Sequence, residues 1–561
     1  MSLLKGQHSV AEKKPSPSPT TGSLGCVAEA GGNDAPSTYQ IATGAPVEDH
    51  SPLGYNVGPV TIIFLNISMV IGTGVYSTPS SILSGTGSVG LSMIWWLLGG
   101  IISLSSAAVY LEFTSYFPSR SGAEVVYLEQ AFPYPRFFFP TTYAMQKVIM
   151  SFRSSNCIGE LLANYLFATA GRTGTEWQIK AVALAGYTVV LLAVAFHTKH
   201  SYYLSNAIGV AKLATLIFIA ITGLVVVGGH SRVPEPKANF ANSFEGTATP
   251  YGITIALYRI IYSYGGWNNA FNVTNEIKCW RSQNPVAQIK RNGTISIVTV
   301  TVLYILANVA YVAAVGKENL KNSGTIAATL FFNAVFGKSR AVQGLNLLIA
   351  LSSFGNLLAV MLGSARMLRE CGRQGVLPWT RFWVSTKPFN TPLGPYLLDW
   401  GLTTIVIFAL PAGDAFNFVA DLAVYPSAAF SFMAAAGLYL VRWRRRRAGL
   451  RRSAGFRTWH AVIVFNVLIH LYLLVMPWCP PSEGASADVS FWYGTYIVTG
   501  LAILAACGAY YGVWVHAIPR WRGYQLRQQL FDFGNGAQGY KVVKVPLAGV
   551  AEWDATKGPG K

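Results

Sequence analysis

The sequence predicts an all-α polytopic membrane protein with about twelve membrane-spanning helices. Charged residues make up only 12% of the 561-residue chain, about half the share usual in soluble domains. They are scarce because long apolar stretches contain almost none. The basic residues behind the net charge of +19 gather in short polar breaks between those stretches. That is the pattern of membrane-protein loops, and it excludes a nucleic-acid-binding surface as the source of the charge.

A spanning helix needs about 20 mostly apolar residues. Such stretches cover 57–83, 91–116, 137–168, 177–196, 201–227, 251–274, 294–315, 342–370, 395–410, 415–441, 461–478 and 491–516. The ninth is the shortest. Together they make one transmembrane domain over 56–516. Residues 1–55 are rich in Ser, Pro, Gly and Thr and have no apolar run, so they are not a secretory signal and are expected to be a disordered tail. Residues 517–561 form a second tail.

Orientation follows from basic residues in short loops. One set of loops holds Arg120, Arg136, Lys199, Lys278, Arg281, Lys290, Arg291, Arg366, Arg369, Arg373, Arg381 and Lys387. The same set ends in the cluster Arg442, Arg444, Arg445, Arg446, Arg447, Arg451 and Arg452. The opposite loops hold fewer: Arg172, Arg232, Lys237, Lys317, Lys321, Lys338 and Arg340. Only the loop between spans 7 and 8 runs against the rule. Both termini are therefore expected in the cytosol. Of the cysteines only Cys479 is expected to face outside, so no disulfide framework is predicted.

Glycine interrupts two stretches near mid-span. The first holds Gly72-Thr73-Gly74 and the sixth holds Gly265-Gly266. These stretches open two successive five-helix units. Interrupted helices at matching places in two halves point to a transporter's binding site. Backbone that leaves the helix inside a bilayer needs partners, and a bound solute supplies them. A half-helix N-terminus offers free N–H groups to a carboxylate, and a half-helix C-terminus offers carbonyls to an ammonium. A zwitterionic amino acid matches both.

Several motifs carry a resemblance. Gly72-Thr73-Gly74-Val75-Tyr76 resembles the Gly-(Ser/Thr)-Gly-(Ile/Val)-(Phe/Tyr) signature of the amino acid–polyamine–organocation superfamily. Tyr264-Gly265-Gly266-Trp267-Asn268 with Val273-Thr274-Asn275-Glu276-Ile277 resembles helix 6 of its L-type amino-acid transporter branch. Pro118-Ser119-Arg120-Ser121-Gly122-Ala123-Glu124-Val125-Val126-Tyr127-Leu128 is similar to the loop after helix 2 there. Ser364-Ala365-Arg366-Met367-Leu368 with Gly375-Val376-Leu377-Pro378 is similar to the end of helix 8. Within the branch the chain looks most similar to fungal high-affinity methionine permeases.

The resemblance implies a fold of two inverted five-helix repeats plus two helices. It also implies a secondary transporter that imports neutral L-amino acids, methionine among them, across the plasma membrane by alternating access. An amino-acid receptor with the same fold, or a permease for another amino acid or a polyamine, is the alternative. Thr73 and Gly74 would hold the substrate carboxylate through backbone N–H groups and the threonine hydroxyl, and Gly72 would also belong to the substrate site. Val70, Ile71 and the Tyr262, Ser263 and Gly265 region would hold the ammonium through carbonyls. Tyr262 and Trp267 would border the side-chain pocket and its gate, and Asn268 would also belong to the substrate site. Lys212 would stand where coupled sodium sits in other members, so a proton is the expected driver and sodium is not. Animal L-type transporters bind a heavy chain through a cysteine between helices 3 and 4; 171–176 has none, so no disulfide-linked heavy chain is expected.

Other charges sit inside apolar stretches. Lys212 is near the middle of the fifth, where a charge costs about 2.5–3.5 kcal/mol on insertion scales and so needs a partner or a function. Glu160, Arg259 and Asp421 share a depth near the outer ends of their helices. A pairing among them at an outer gate is expected, because unpaired they would be expensive. Glu112 is expected in an inner gate. Arg153 lies deeper, with no partner to name. His197, His200 and His470 lack metal-ligand spacing and read as packing or loop residues. There is no Gly-rich phosphate loop with its lysine, no His-Glu-x-x-His and no clustered Cys/His pairs. Neither an enzyme nor a metal or cofactor site is predicted.

Overall fold

The computed structural model describes residues 26–29, 38–41, 45–46, 51–277 except 119, 285–322, 327–337, 339–409, 414–447, 449, 455–481, 492–533 and 537–557. Within these ranges the side chains of 26–29, 38–41, 153–157 and 414–416 are not described. The expectations for Ser119, Lys278, Cys279, Arg281, Lys338, Arg451, Arg452 and the side chains of Cys26, Arg153 and Cys157 lie outside the described residues.

Nine described helices are long and apolar enough to cross a membrane on length and composition. They correspond to the expected spans 1, 2, 4, 5, 7, 8, 10, 11 and 12. The other three are interrupted or short. Span 3 comprises Phe138–Ile149 and Phe152–Thr169. Span 6 comprises Pro250–Ser263 and the 3₁₀ turns of Asn269–Glu276. Span 9 is Leu393–Ala409, 17 residues.

Span 1 lies at the centre and spans 11 and 12 at the periphery: 78% of the first apolar window is buried in protein, against 28% and 22% of the last two. Span 1 packs on spans 5, 7 and 8, and span 8 lies along span 3. Exposed apolar residues such as Leu97, Val210, Ile221, Leu224, Ile405 and Leu468 face outward, as a lipid-facing surface requires.

Two segments depart from the expected loops. Glu124–Ala131, expected within the loop after span 2, is a short helix buried along its whole length. Its apolar residues Val125, Val126, Leu128 and Ala131 give it a core to join, although it is too short to span. Arg442 to Arg447, expected in a loop, are the last turns of span 10, Asp414–Arg447. Arginine is a good helix former, and cations at a helix C-terminus oppose the negative end of its dipole.

Of the tails, Cys26–Glu29 pairs antiparallel with Thr38–Ile41, and Tyr524–Asp532 with Gln538–Pro546. The second hairpin packs on the end of span 8, where the Arg373 guanidinium donates to the carbonyls of Gln538 (2.7 Å) and Pro46 (2.5 Å).

Candidate functional site

The helix of span 1, Pro59–Val70, ends with Ile71 out of helical conformation (φ −72°, ψ 80°). It restarts at Gly74 and continues through Gly74–Ser77 into Pro79–Thr86. The helix of span 6 stops at Ser263 and resumes after Asn268. Gly266 has φ +114°, open in practice only to glycine, and a Cβ there would lie 2.4 Å from Met69 Cγ.

The two breaks touch. A Cβ on Gly74 would lie 2.6 Å from Ser263 Cα. Thr78 and Ser263 join hydroxyls at 3.0 Å, and Thr73 and Tyr262 at 3.2 Å. Below the breaks, Asn66 accepts from the Ala270 N–H (3.0 Å) and Asn269 donates to the Leu65 carbonyl (3.3 Å). Each half-helix of span 1 is thus tied to its counterpart in span 6.

Beside this contact lies a cavity of about 240 Å³. Its lining includes Val70, Thr73, Gly74, Tyr262, Ser263, Gly265, Trp267 and Asn268, eight of the ten residues expected to touch substrate. Ile71 and Gly72 do not line it. The Ile71 carbonyl accepts from the Lys212 ammonium at 2.9 Å, and a Cβ on Gly72 would fall 1.7 Å from the Asn356 amide nitrogen. Ile71 and Gly72 lie instead against Lys212 and Asn356. The Val70 carbonyl also has a partner already, the Tyr304 hydroxyl at 2.5 Å.

Comparison with known proteins fits this geometry. Residues 57–503 match the family model described as amino acid permease. The chain belongs to the amino acid permease family. It is 36% identical over 492 residues to the high-affinity methionine permease of Saccharomyces cerevisiae, covering 87% of this chain and 84% of that one. It is 24% identical over 502 residues to the low-affinity methionine permease of the same yeast, covering 88% and 89%. It is 29% identical over 425 residues to the b(0,+)-type amino acid transporter 1 of Mus musculus, covering 75% and 82%. The L-type resemblance holds with these relatives, and the permease is an integral membrane protein with a small-molecule amino-acid substrate.

In the permease, Lys212 is fully enclosed. Its ammonium donates to the Ser68 carbonyl at 2.6 Å as well as to that of Ile71. Gly355 of span 8 leaves room for it, since a Cβ there would meet Lys212 Cε at 2.9 Å. Spans 1, 5 and 8 therefore meet at this side chain. Burying the cation is offset by bonds to carbonyls that the break in span 1 exposes.

The other charges form clamps. Arg259 meets Asp421 at 3.0 Å and donates to the Asn417 carbonyl at 3.2 Å. This links spans 6 and 10 on the side away from the arginine-rich end. Glu160 of the expected cluster is half-buried on span 3. Glu112 is fully buried; Arg442 forks onto its two oxygens at 2.7 and 2.6 Å. The Thr458 N–H and the Tyr116 hydroxyl add bonds of 2.7 and 2.8 Å to the same carboxylate. Glu112 therefore fastens spans 2, 10 and 11, and it does not line the cavity.

Four features escaped the sequence reading. Tyr304 of span 7 donates to the Val70 carbonyl and lies 3.1 Å from that of Ser263, so one hydroxyl reaches both breaks. Glu276 pairs with Arg366 at 3.2 Å and accepts from Tyr202 at 2.9 Å. Both charges were visible inside motifs, but their pairing across spans 6 and 8 is not a sequence signal. Glu124, taken as a loop residue, lines the cavity. His470, taken as packing, also lines it, with Nδ1 2.7 Å from the Asn466 carbonyl oxygen.

Proposed function

We propose that the permease imports a neutral L-amino acid of methionine type across the plasma membrane by alternating access around the paired breaks. The observation that carries this reading is the contact of Gly74 with Ser263 beside a cavity of about 240 Å³, just below the usual range for ligand sites and so suited to a small solute. The substrate carboxylate meets the N–H groups and hydroxyl at Thr73 and Gly74. The ammonium meets carbonyls at the end of the sixth half-helix.

The side chain lies among Met69, Met150 and Met367. Such flexible, polarizable walls suit an unbranched thioether. Identity to the two yeast methionine permeases supports the same substrate. The basic loops support cytosolic termini.

A proton gradient drives accumulation. Sodium does not, because the Lys212 ammonium already holds the carbonyls of Ser68 and Ile71 where a cation would bind. No disulfide-linked heavy chain is needed, and the chain should run alone on non-reducing gels.

The test is uptake of labelled methionine in cells lacking their own permeases, competed by each of the other amino acids and repeated with choline in place of sodium. Saturable uptake, competed by methionine and unaffected by choline, is expected. No uptake from a surface-expressed protein contradicts import, and a large loss in choline contradicts the ion assignment.

A further inference from the structure

We propose that Glu124 is the proton-binding site of the transport cycle, a reading that rests on the proton-driven import argued above. Glu124 opens the buried helix after span 2 and is 7% exposed. Its Oε1 accepts from the Tyr110 hydroxyl of span 2 and from the Asn268 amide of span 6, each at 3.0 Å. Its Oε2 is buried at the cavity wall with no hydrogen-bond partner among the described residues.

Carboxylates that hold this fold together look different. Glu112, Glu276 and Asp421 each face an arginine within 3.2 Å. A buried carboxylate that stays charged needs such compensation. Glu124 has two neutral donors on one oxygen. Among the described residues, the titratable groups that feel its charge include Tyr110 from span 2, Tyr127 from its own helix and Cys371 from span 8. Lys147 of span 3, which also lines the cavity, holds its ammonium 4.9 Å over the Tyr143 ring and, like Glu124, acts on the Cys371 thiol.

The site also has a way to act. Hydrogen bonds to an ionised acceptor are roughly twice as strong as neutral ones. A proton arriving from the cavity forms an O–H bond at Oε2 and weakens the bonds at Oε1. The link from Asn268 to Tyr110 then slackens. Trp267, whose ring centroid lies 4.9 Å from that of Tyr110, stands in the same contact between spans 2 and 6. Loss of the proton to the other side restores the charge and the link. Protonation state and gate position are therefore coupled through one side chain.

The experiment uses the full chain in sealed vesicles with acid outside and labelled methionine. Wild type should accumulate methionine and take up protons with it. Glu124→Gln keeps an acceptor for Tyr110 and Asn268 and mimics the protonated acid. It should lose accumulation and proton uptake yet still exchange external for internal methionine. Glu124→Asp keeps a titratable group and should retain proton uptake at a lower rate. Three results overturn the proposal. The first is accumulation of methionine by Glu124→Gln with wild-type pH dependence. The second is a change in competition by lysine with coupling intact, which makes the carboxylate a substrate contact. The third is failure of both variants even in exchange although they reach the membrane. A wild-type protein that transports methionine without moving protons refutes proton-driven import itself, and that failure shows before any variant is tested.

Discussion

A single hydroxyl shows what residue-level chemistry contributes here. Tyr304 is fully buried and supplies the partner for the Val70 carbonyl, next to the place proposed for the substrate ammonium. Removing a buried donor leaves its acceptor unsatisfied, at a cost of about 1–3 kcal/mol. Tyr304→Phe should therefore raise the KM for methionine by roughly 5- to 150-fold with normal surface expression. An unchanged KM in uptake assays contradicts the role. Lys212 was legible in the sequence because a charge in mid-span is anomalous. Tyr304 was not, because the chain has 28 tyrosines and an aromatic in an apolar span signals nothing. Glu124 was in view within a quoted motif. Its burial depends on a helix, Glu124–Ala131, that is too short for hydropathy to reveal.

At the scale of elements, the proposed function depends on the two broken helices, and glycine sets how closely they meet. A Cβ on Gly74 would stand 2.5 Å from Ser263 Oγ and 2.6 Å from its Cα, so backbone must move. This adds to the reason for its importance: the glycine admits span 6 as well as leaving the space proposed for substrate. Gly74→Ala should cut uptake at least tenfold, equivalent to about 1.4 kcal/mol. Gly344→Ala in span 8 meets nothing within 4 Å and should leave uptake unchanged. Equal uptake by the two variants, at matched surface levels, contradicts the close-approach argument. Sequence located both breaks because glycine pairs interrupt otherwise continuous apolar runs. It did not locate the interruption of span 3 at Met150 and Ser151, which no glycine or proline marks. It placed the end of span 10 too early, because hydropathy ends at the first arginine while the helix continues to Arg447.

For the whole molecule, the arrangement of spans was legible from apolar length, and their sidedness rests on the basic residues. Three Asn-x-Ser/Thr sequences begin at Asn66, Asn272 and Asn292, all buried. None should be glycosylated, since the modification needs exposed chain on the lumenal side. Phe244→Thr completes a fourth such sequence at the exposed Asn242, in the loop placed outside, and it should shift on glycosidase treatment. An unshifted variant would reverse the orientation. The central claim is that the paired breaks recognise both charged ends of one amino acid. Competition against labelled methionine tests it most directly, using methionine, its analogue without the carboxylate and its analogue without the ammonium. Both truncated analogues should compete at least about 100-fold more weakly, because each leaves buried polar groups of the site unpaired. Competition by either analogue at the strength of methionine would contradict the account.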